Sequence, residues 1–136
     1  MKRINILLIG LMILSYSFVC TAQSETKEKE TSLKNAGNVE VYYFHMTRRC
    51  ETCQAVEKVT KEALTEYYGN KIPFAEYNLE EETGEEKGKD LEVSGQTLLI
   101  VSGDNRINLT SEGFMYARNN PDKLKKLIKE KVDALL

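Results

Sequence analysis

Apolar positions along this chain fall into two rhythms, one of period two or unbroken, the other of period three to four. Val39-Glu40-Val41-Tyr42-Tyr43-Phe44-His45-Met46 is β-branched and aromatic with little alternation, which predicts a central strand apolar on both faces and ending at Thr47. Val56, Val59, Ala63, Leu64 and Tyr67 then recur as the stripe of an amphipathic helix, stopped by Gly69-Asn70. Lys71 to Leu79 predicts a second strand with Pro73 near its start, where the missing N–H does least harm. A short helix over Glu85 to Leu91 is weakened by Gly84 and Gly88. Thr97 to Val101 is the most continuously apolar stretch after the first 22 residues and predicts a buried strand. Gly103-Asp104-Asn105 turns it into an antiparallel partner, Arg106 to Thr110. The last element is a helix capped by Asn120 with Pro121 at its first position. Leu124, Leu127, Ile128, Val132 and Leu135 form its apolar stripe, opposite Lys123, Lys125, Lys126, Lys129 and Lys131.

The order strand, helix, strand, short helix, strand, strand, helix is a βαβ unit followed by a hairpin and a closing helix. It predicts an α/β domain over residues 38–136, a central four-stranded mixed sheet with helices on both faces. Two segments precede it. Lys2 and Arg3, the apolar run Ile4 to Leu14 and the closing Cys20-Thr21-Ala22 read as a secretory signal peptide over residues 1–22, cut near Ala22/Gln23. That run falls short of the roughly 20 apolar residues a membrane span needs. Residues 23–37, polar and poor in apolar side chains, read as a flexible lead-in. The expected destination is the bacterial periplasm or the exterior. Lipidation at Cys20 is the less favoured alternative, because Phe18 and Val19 fit poorly before an acylated cysteine.

Cleavage removes Lys2 and Arg3, two of 19 Lys and Arg, and leaves 17 against 21 Asp and Glu, a net charge of −4. No basic excess invites nucleic acid. The acidic residues Glu80, Glu81, Glu82, Glu85, Glu86 and Asp90 read as a solvated face. Hydrophobic residues at 41% and charged ones at 29% describe an ordinary globular domain, expected to be a monomer.

Chemistry concentrates in His45-Met46-Thr47-Arg48-Arg49-Cys50-Glu51-Thr52-Cys53, which holds the sole histidine and, once residues 1–22 are gone, the remaining two cysteines. A cysteine pair in an exported chain can be a staple, a redox couple or a grip for a soft metal. A bridge between residues three apart closes a tiny loop, and small loops gain least in the chain-entropy account, so the staple is the weak reading.

At the junction of first strand and first helix, this Cys-x-x-Cys context resembles the thioredoxin-like superfamily over residues 38–136. Within it, Tyr43-Phe44-His45-Met46-Thr47-Arg48-Arg49-Cys50-Glu51-Thr52-Cys53 is most similar to small exported proteins labelled a nitrophenyl-compound nitroreductase subunit family. No Gly-rich phosphate loop or flavin-sized domain accompanies it, so nitroreduction by this chain alone is not expected, nor is a cofactor. The resemblance implies a three-layer thioredoxin-like sandwich and a thiol-disulfide oxidoreductase acting on a protein dithiol or disulfide partner.

Cys50 then falls in the first helical turn, where the positive helix end, with Arg48 and Arg49, depresses its pKa while Glu51 opposes them. It is the attacking thiolate, Cys53 one turn on is the resolving thiol, and a Cys50–Cys53 disulfide is the product. The opposing signs of Arg49 and Glu51 leave the redox direction open. His45 tunes the thiols, binds metal, or sits hydrogen-bonded at the buried strand end.

Thioredoxin-like proteins carry a cis-proline just before the strand facing the site; here Val93-Ser94-Gly95-Gln96-Thr97-Leu98 puts Gln96 in that place. A non-proline cis bond costs about 2.5 to 4 kcal/mol, so Gly95–Gln96 is expected trans, with Gly95 allowing an unusual backbone. Gly95, Gln96 and Thr97 are the candidate substrate-binding residues. Without the proline the thiols are less shielded, and the alternative function is a binding module for Cu(I) or arsenite on Cys50 and Cys53, with Met46 adding a thioether. One histidine cannot complete a four-ligand zinc site with two cysteines unless a carboxylate or a partner joins, so zinc is the less favoured metal. Phe114, Met115 and Tyr116 read as an edge of the core, and the Asn108-Leu109-Thr110 triplet is discounted as a glycosylation site.

Overall fold

The computed structural model describes residues 38–136; the signal-peptide, lead-in and Cys20 expectations lie outside the described residues. Four strands, β1 (Val39–His45), β2 (Phe74–Asn78), β3 (Thr97–Ser102) and β4 (Asn105–Asn108), form one sheet in the order β2-β1-β3-β4. β1 and β2 are parallel, β1 and β3 antiparallel, β3 and β4 antiparallel. Four helices accompany them: α1 (Glu51–Tyr68), α2 (Glu82–Asp90), α3 (Thr110–Tyr116) and α4 (Pro121–Asp133).

Burial on both faces of β1 follows from its unbroken apolar run. Val39, Val41 and Tyr43 point to one side and join Val56 and Ala63 of α1, Leu98 and Ile100 of β3, and Leu124, Ile128 and Val132 of α4. Tyr42 and Phe44 point to the other and meet Leu99 and Val101, with Tyr77, Leu79, Leu91 and Val93 around them. α1, α3 and α4 therefore cover one face and α2 the other, giving three layers.

The helix ends obey their local chemistry. α1 stops at Gly69, left-handed at φ 56°, whose N–H returns to Thr65 O. α4 starts where the Asn120 side chain accepts from Lys123 N, with Pro121 at N1.

Two expectations need correction. The hairpin partner β4 ends at Asn108 rather than Thr110, because Asn108 Oδ1 accepts from Thr110 N (2.9 Å) and turns the chain into α3, a helix the apolar pattern does not reveal. Its Gly113 lies against Val56 and Leu98, so Phe114 and Tyr116 pack against the core as expected while Met115 is exposed. α2 begins at Glu82, earlier than expected, and the glycines that lower its propensity are its two buried residues. A side chain at Gly84 would overlap Asn78 O, so the helix lies against the end of β2 there as only glycine permits, while one at Gly88 would meet the Leu79 side-chain tip, Cδ2, at 2.8 Å.

Candidate active site

The β1–α1 junction carries the site. β1 ends at His45, residues 46–49 cross the sheet edge, and Cys50 stands at the N-cap of α1 with extended backbone (φ −80°, ψ 164°). Its Sγ accepts from Cys53 N at 3.3 Å, the contact an N-cap side chain makes, and Gln54 N bonds Cys50 O at 3.1 Å to begin the helical ladder. Cys50 is exposed while Cys53 is 1% exposed, and the two are joined in a disulfide with Cα atoms 5.1 Å apart. The sulfur open to solvent thus sits where the free N–H groups and dipole of an 18-residue helix favour a thiolate, and the shielded one lies a turn behind.

The charges beside the motif are already engaged. Arg49 ion-pairs with Glu57, and its guanidinium lies 5.8 Å from the Tyr43 ring centroid. Burial alone would raise the Glu57 carboxyl, but the hydrogen bonds it accepts from Lys61 and Arg49 outweigh it and hold the group down at about 2. Glu51 pairs with Arg118, just beyond α3, at 3.1 Å. Arg48 is exposed.

Tyr43, read from the sequence only as a core residue, donates its hydroxyl to Cys53 O at 3.0 Å from within the core. Burial pushes the phenol up to about 12, with Arg49 opposing and Glu57 adding to the rise. His45 is 9% exposed; its Nδ1 lies 3.0 Å from Met46 O, which requires the proton on Nδ1, and its ring lies 6.1 Å from that of Tyr43. The crossing segment is tied to the β2–α2 connection. Thr47 N donates to Glu80 Oε2 at 2.8 Å and Asn78 Nδ2 donates to Thr47 Oγ1 at 2.9 Å. Hydrogen bonding from the Thr47 hydroxyl, and then from its backbone N–H, holds the Glu80 carboxyl below its ordinary range.

From the far strand, the Gly95–Gln96 peptide is trans, and Gln96 places Oε1 3.2 Å from Cys53 Sγ. Thr97 Oγ1 donates to Gly95 O at 2.9 Å. The unusual backbone expected at Gly95 is absent: it is not left-handed, and a Cβ there would meet nothing within 4 Å. The structure thus brings Cys50, Cys53 and Gln96 together, sets Thr97 at the start of β3, and gives Arg49 and His45 their own partners. Sequence reasoning missed Arg118, Tyr43 and Asn78. Only Tyr43 left a signal, a phenol on the face of β1 that it shares with Val39 and Val41.

Among the described residues, no set of three or more His, Cys, Asp or Glu side chains is gathered to hold a metal ion. No helix among them is long and apolar enough to cross a membrane.

Compared with known proteins, the chain matches no family model and no curated sequence. Among solved structures it is similar to thioredoxin O2 from Arabidopsis thaliana in the oxidised state (19% identity, 69% of this chain and 75% of that one, TM-score 0.48). It is also similar to oxidised mitochondrial thioredoxin 3 from Saccharomyces cerevisiae (21%, 72% and 83%, TM-score 0.47) and to Fasciola hepatica thioredoxin (20%, 71% and 84%, TM-score 0.45). The fold is thioredoxin-like. That statement rests on the chain's own strand order and directions, with the Cys-x-x-Cys pair at the end of β1 where α1 begins. In general terms the arrangement supports thiol-disulfide oxidoreduction.

Proposed function

We propose that this protein is an exported thiol-disulfide oxidoreductase in which Cys50 attacks a disulfide of a protein partner and Cys53 resolves the mixed disulfide. The observation that carries the reading is the asymmetry of the pair: an exposed sulfur at the N-cap of α1, bridged to one that is 1% exposed. Attack at an exposed helix N-terminus is favoured by a lowered thiol pKa and by access, whereas a buried resolving thiol is kept from outside disulfides.

Gly95, Gln96 and Thr97 form the edge along which a substrate chain lies beside the thiols. Arg49 and His45 act indirectly, Arg49 through its ion pair with Glu57 and its place over Tyr43, His45 by fixing the end of β1. The protein works as a monomer, in the periplasm or outside the cell, after cleavage near Ala22. From the small exported proteins labelled as a nitrophenyl-compound nitroreductase subunit family we carry over the Cys-x-x-Cys chemistry and no nitro-reducing step.

The test is turnover of a small-molecule disulfide, driven by excess dithiol, in the wild-type chain and in Cys50→Ser and Cys53→Ser. Turnover that vanishes in both variants is expected; a wild-type chain that closes its bridge yet turns over nothing sinks the reading. Sequencing the amino terminus of the protein recovered from outside the cytoplasm checks the export step, with Gln23 expected first.

A further inference from the structure

Gln96 is half-buried, and its side-chain oxygen lies 3.2 Å from Cys53 Sγ, a contact made across 43 residues between the position just before β3 and α1. In the disulfide, Cys53 Sγ carries no hydrogen and offers this carbonyl nothing to accept. Once the bridge opens, the same geometry makes the Cys53 S–H a donor to Gln96 Oε1 at a distance ordinary for sulfur. An interaction present in one redox state and missing in the other shifts the balance between them by its own free energy.

We propose that Gln96 is a redox-dependent positioning residue: its carbonyl accepts the Cys53 S–H hydrogen bond in the dithiol and mixed-disulfide states, biases the pair toward the dithiol, and holds back the closing attack. The charged and titratable groups at this end of α1 act elsewhere. Tyr43 binds the Cys53 carbonyl oxygen, Arg49 binds Glu57, and Glu51 binds Arg118.

The catalytic part rests on the proposed function. The Cys50 thiolate attacks a partner disulfide, forms one S–S bond and expels the partner's first thiolate, which takes a proton from water. Cys53 must then give its proton to solvent and leave Gln96 before its sulfur bonds Cys50 Sγ. The Cys50–partner bond breaks, the second partner thiolate is released and protonated, and two electrons have passed from the Cys50/Cys53 dithiol to the partner disulfide.

The experiment uses the full chain carrying Cys20→Ser, equilibrated with glutathione and glutathione disulfide, comparing Gln96, Gln96→Met and Gln96→Glu. Methionine keeps the length and removes the acceptor. The dithiol loses its bond, and the equilibrium should move toward the disulfide by about 2- to 3-fold, the low end for one net hydrogen bond because a thiol is a weak donor. Glutamate supplies a charged acceptor, which binds a donor about twice as strongly as a neutral one, and should move it the opposite way. A mixed disulfide formed at Cys50 with an aromatic thiol should release that thiol faster in Gln96→Met and slower in Gln96→Glu.

Opposite signs in the two variants are what a merely space-filling role would not produce. If both variants shift the same way, or neither shifts, the inference is overturned. Turnover of a disulfide by the wild-type chain is read separately, so its absence defeats the proposed function while the glutathione equilibrium still decides the contact.

Discussion

Three glycines offer a graded test of how α2 and the site are built. At Gly84 a Cβ would overlap Asn78 O, with the carbonyl carbon 2.5 Å and the amide nitrogen 3.2 Å away. These are backbone atoms at the end of β2, and the Asn78 side chain also holds Thr47 and Glu81. Relief requires the helix to back away by about 1 Å, an overpacking change that costs about 1 to 3 kcal/mol. Alanine returns about 1 kcal/mol of helix propensity. With backbone on both sides of the clash, we place the cost toward the upper end and expect Gly84→Ala to lose about 1 to 2 kcal/mol net.

At Gly88 the nearest neighbour is Leu79 Cδ2 at 2.8 Å, a side-chain tip that can swing aside, with Val93 O at 3.0 Å. There the two effects nearly cancel, and alanine should change stability by less than about 1 kcal/mol. At Gly95 nothing stands within 4 Å and φ is not left-handed, so alanine should stabilise by about 0.4 to 1 kcal/mol through the unfolded chain. Urea unfolding of the three variants, read at constant m-value, should rank Gly95→Ala above wild type, Gly88→Ala near it and Gly84→Ala lowest. A Gly84→Ala protein as stable as wild type would show that close approach is not what this glycine serves.

Two further outcomes follow from named contacts. Glu57 is held at about 2 against an ordinary value of 4.5, so its contribution to stability is present above about pH 4.5 and is lost as the pH falls from there toward 2. Unfolding midpoints measured down that range should fall more steeply in wild type than in Glu57→Gln, and parallel curves would refute the assignment. Tyr43→Phe strips the Cys53 carbonyl of its phenol donor at a fully buried residue and should cost about 1 to 3 kcal/mol by denaturant unfolding. A change below the scatter of the measurement would mean that water replaces the phenol.

What the sequence made legible was whatever depends on neighbours along the chain. The strand β1, the stripes of α1 and α4, the Asn120-Pro121 start and the Gly69 stop are each written within one or two turns of backbone, and each appears where expected. The order of the two cysteines is legible too, since the first falls at the helix start and the second one turn inside, though the burial of Cys53 comes from the packing of α1 on the sheet. α3 was illegible because it has only seven residues and no side-chain cap. Thr110 serves β3 as well, its hydroxyl accepting from Leu98 N at 3.0 Å. Gly84 and Gly88 were discounted because propensity judges a helix alone, whereas their spacing of four placed both on the face that meets β2. Gln96 on Cys53, Arg118 on Glu51 and Tyr43 on the Cys53 carbonyl join residues 43, 67 and 10 apart in sequence, respectively, and only the closed sheet brings them together.

The redox direction, left open by opposing charges at Arg49 and Glu51, turns on how those charges are spent. Each has its own counter-ion, Glu57 for Arg49 and Arg118 for Glu51 at 3.1 Å. A pair of opposite charges in contact acts on a third group as a dipole, whose effect falls faster with distance than that of either ion, and salt of physiological strength screens exposed charges beyond about 8 Å. The helix N-terminus, in contact with Cys50 Sγ through the Cys53 N–H at 3.3 Å, is then expected to act most directly on a thiolate formed there, with exposed Arg48 adding positive charge. The Cys50 thiol pKa, followed by the pH dependence of its alkylation, should fall in Glu51→Gln, which frees Arg118. It should rise in Arg118→Gln, which frees Glu51, and return close to wild type in the double variant. A double variant displaced as far as one of the single ones would show that the two charges do not offset each other at Cys50, and the balance at the site would have to be assigned to that one side chain rather than to the helix.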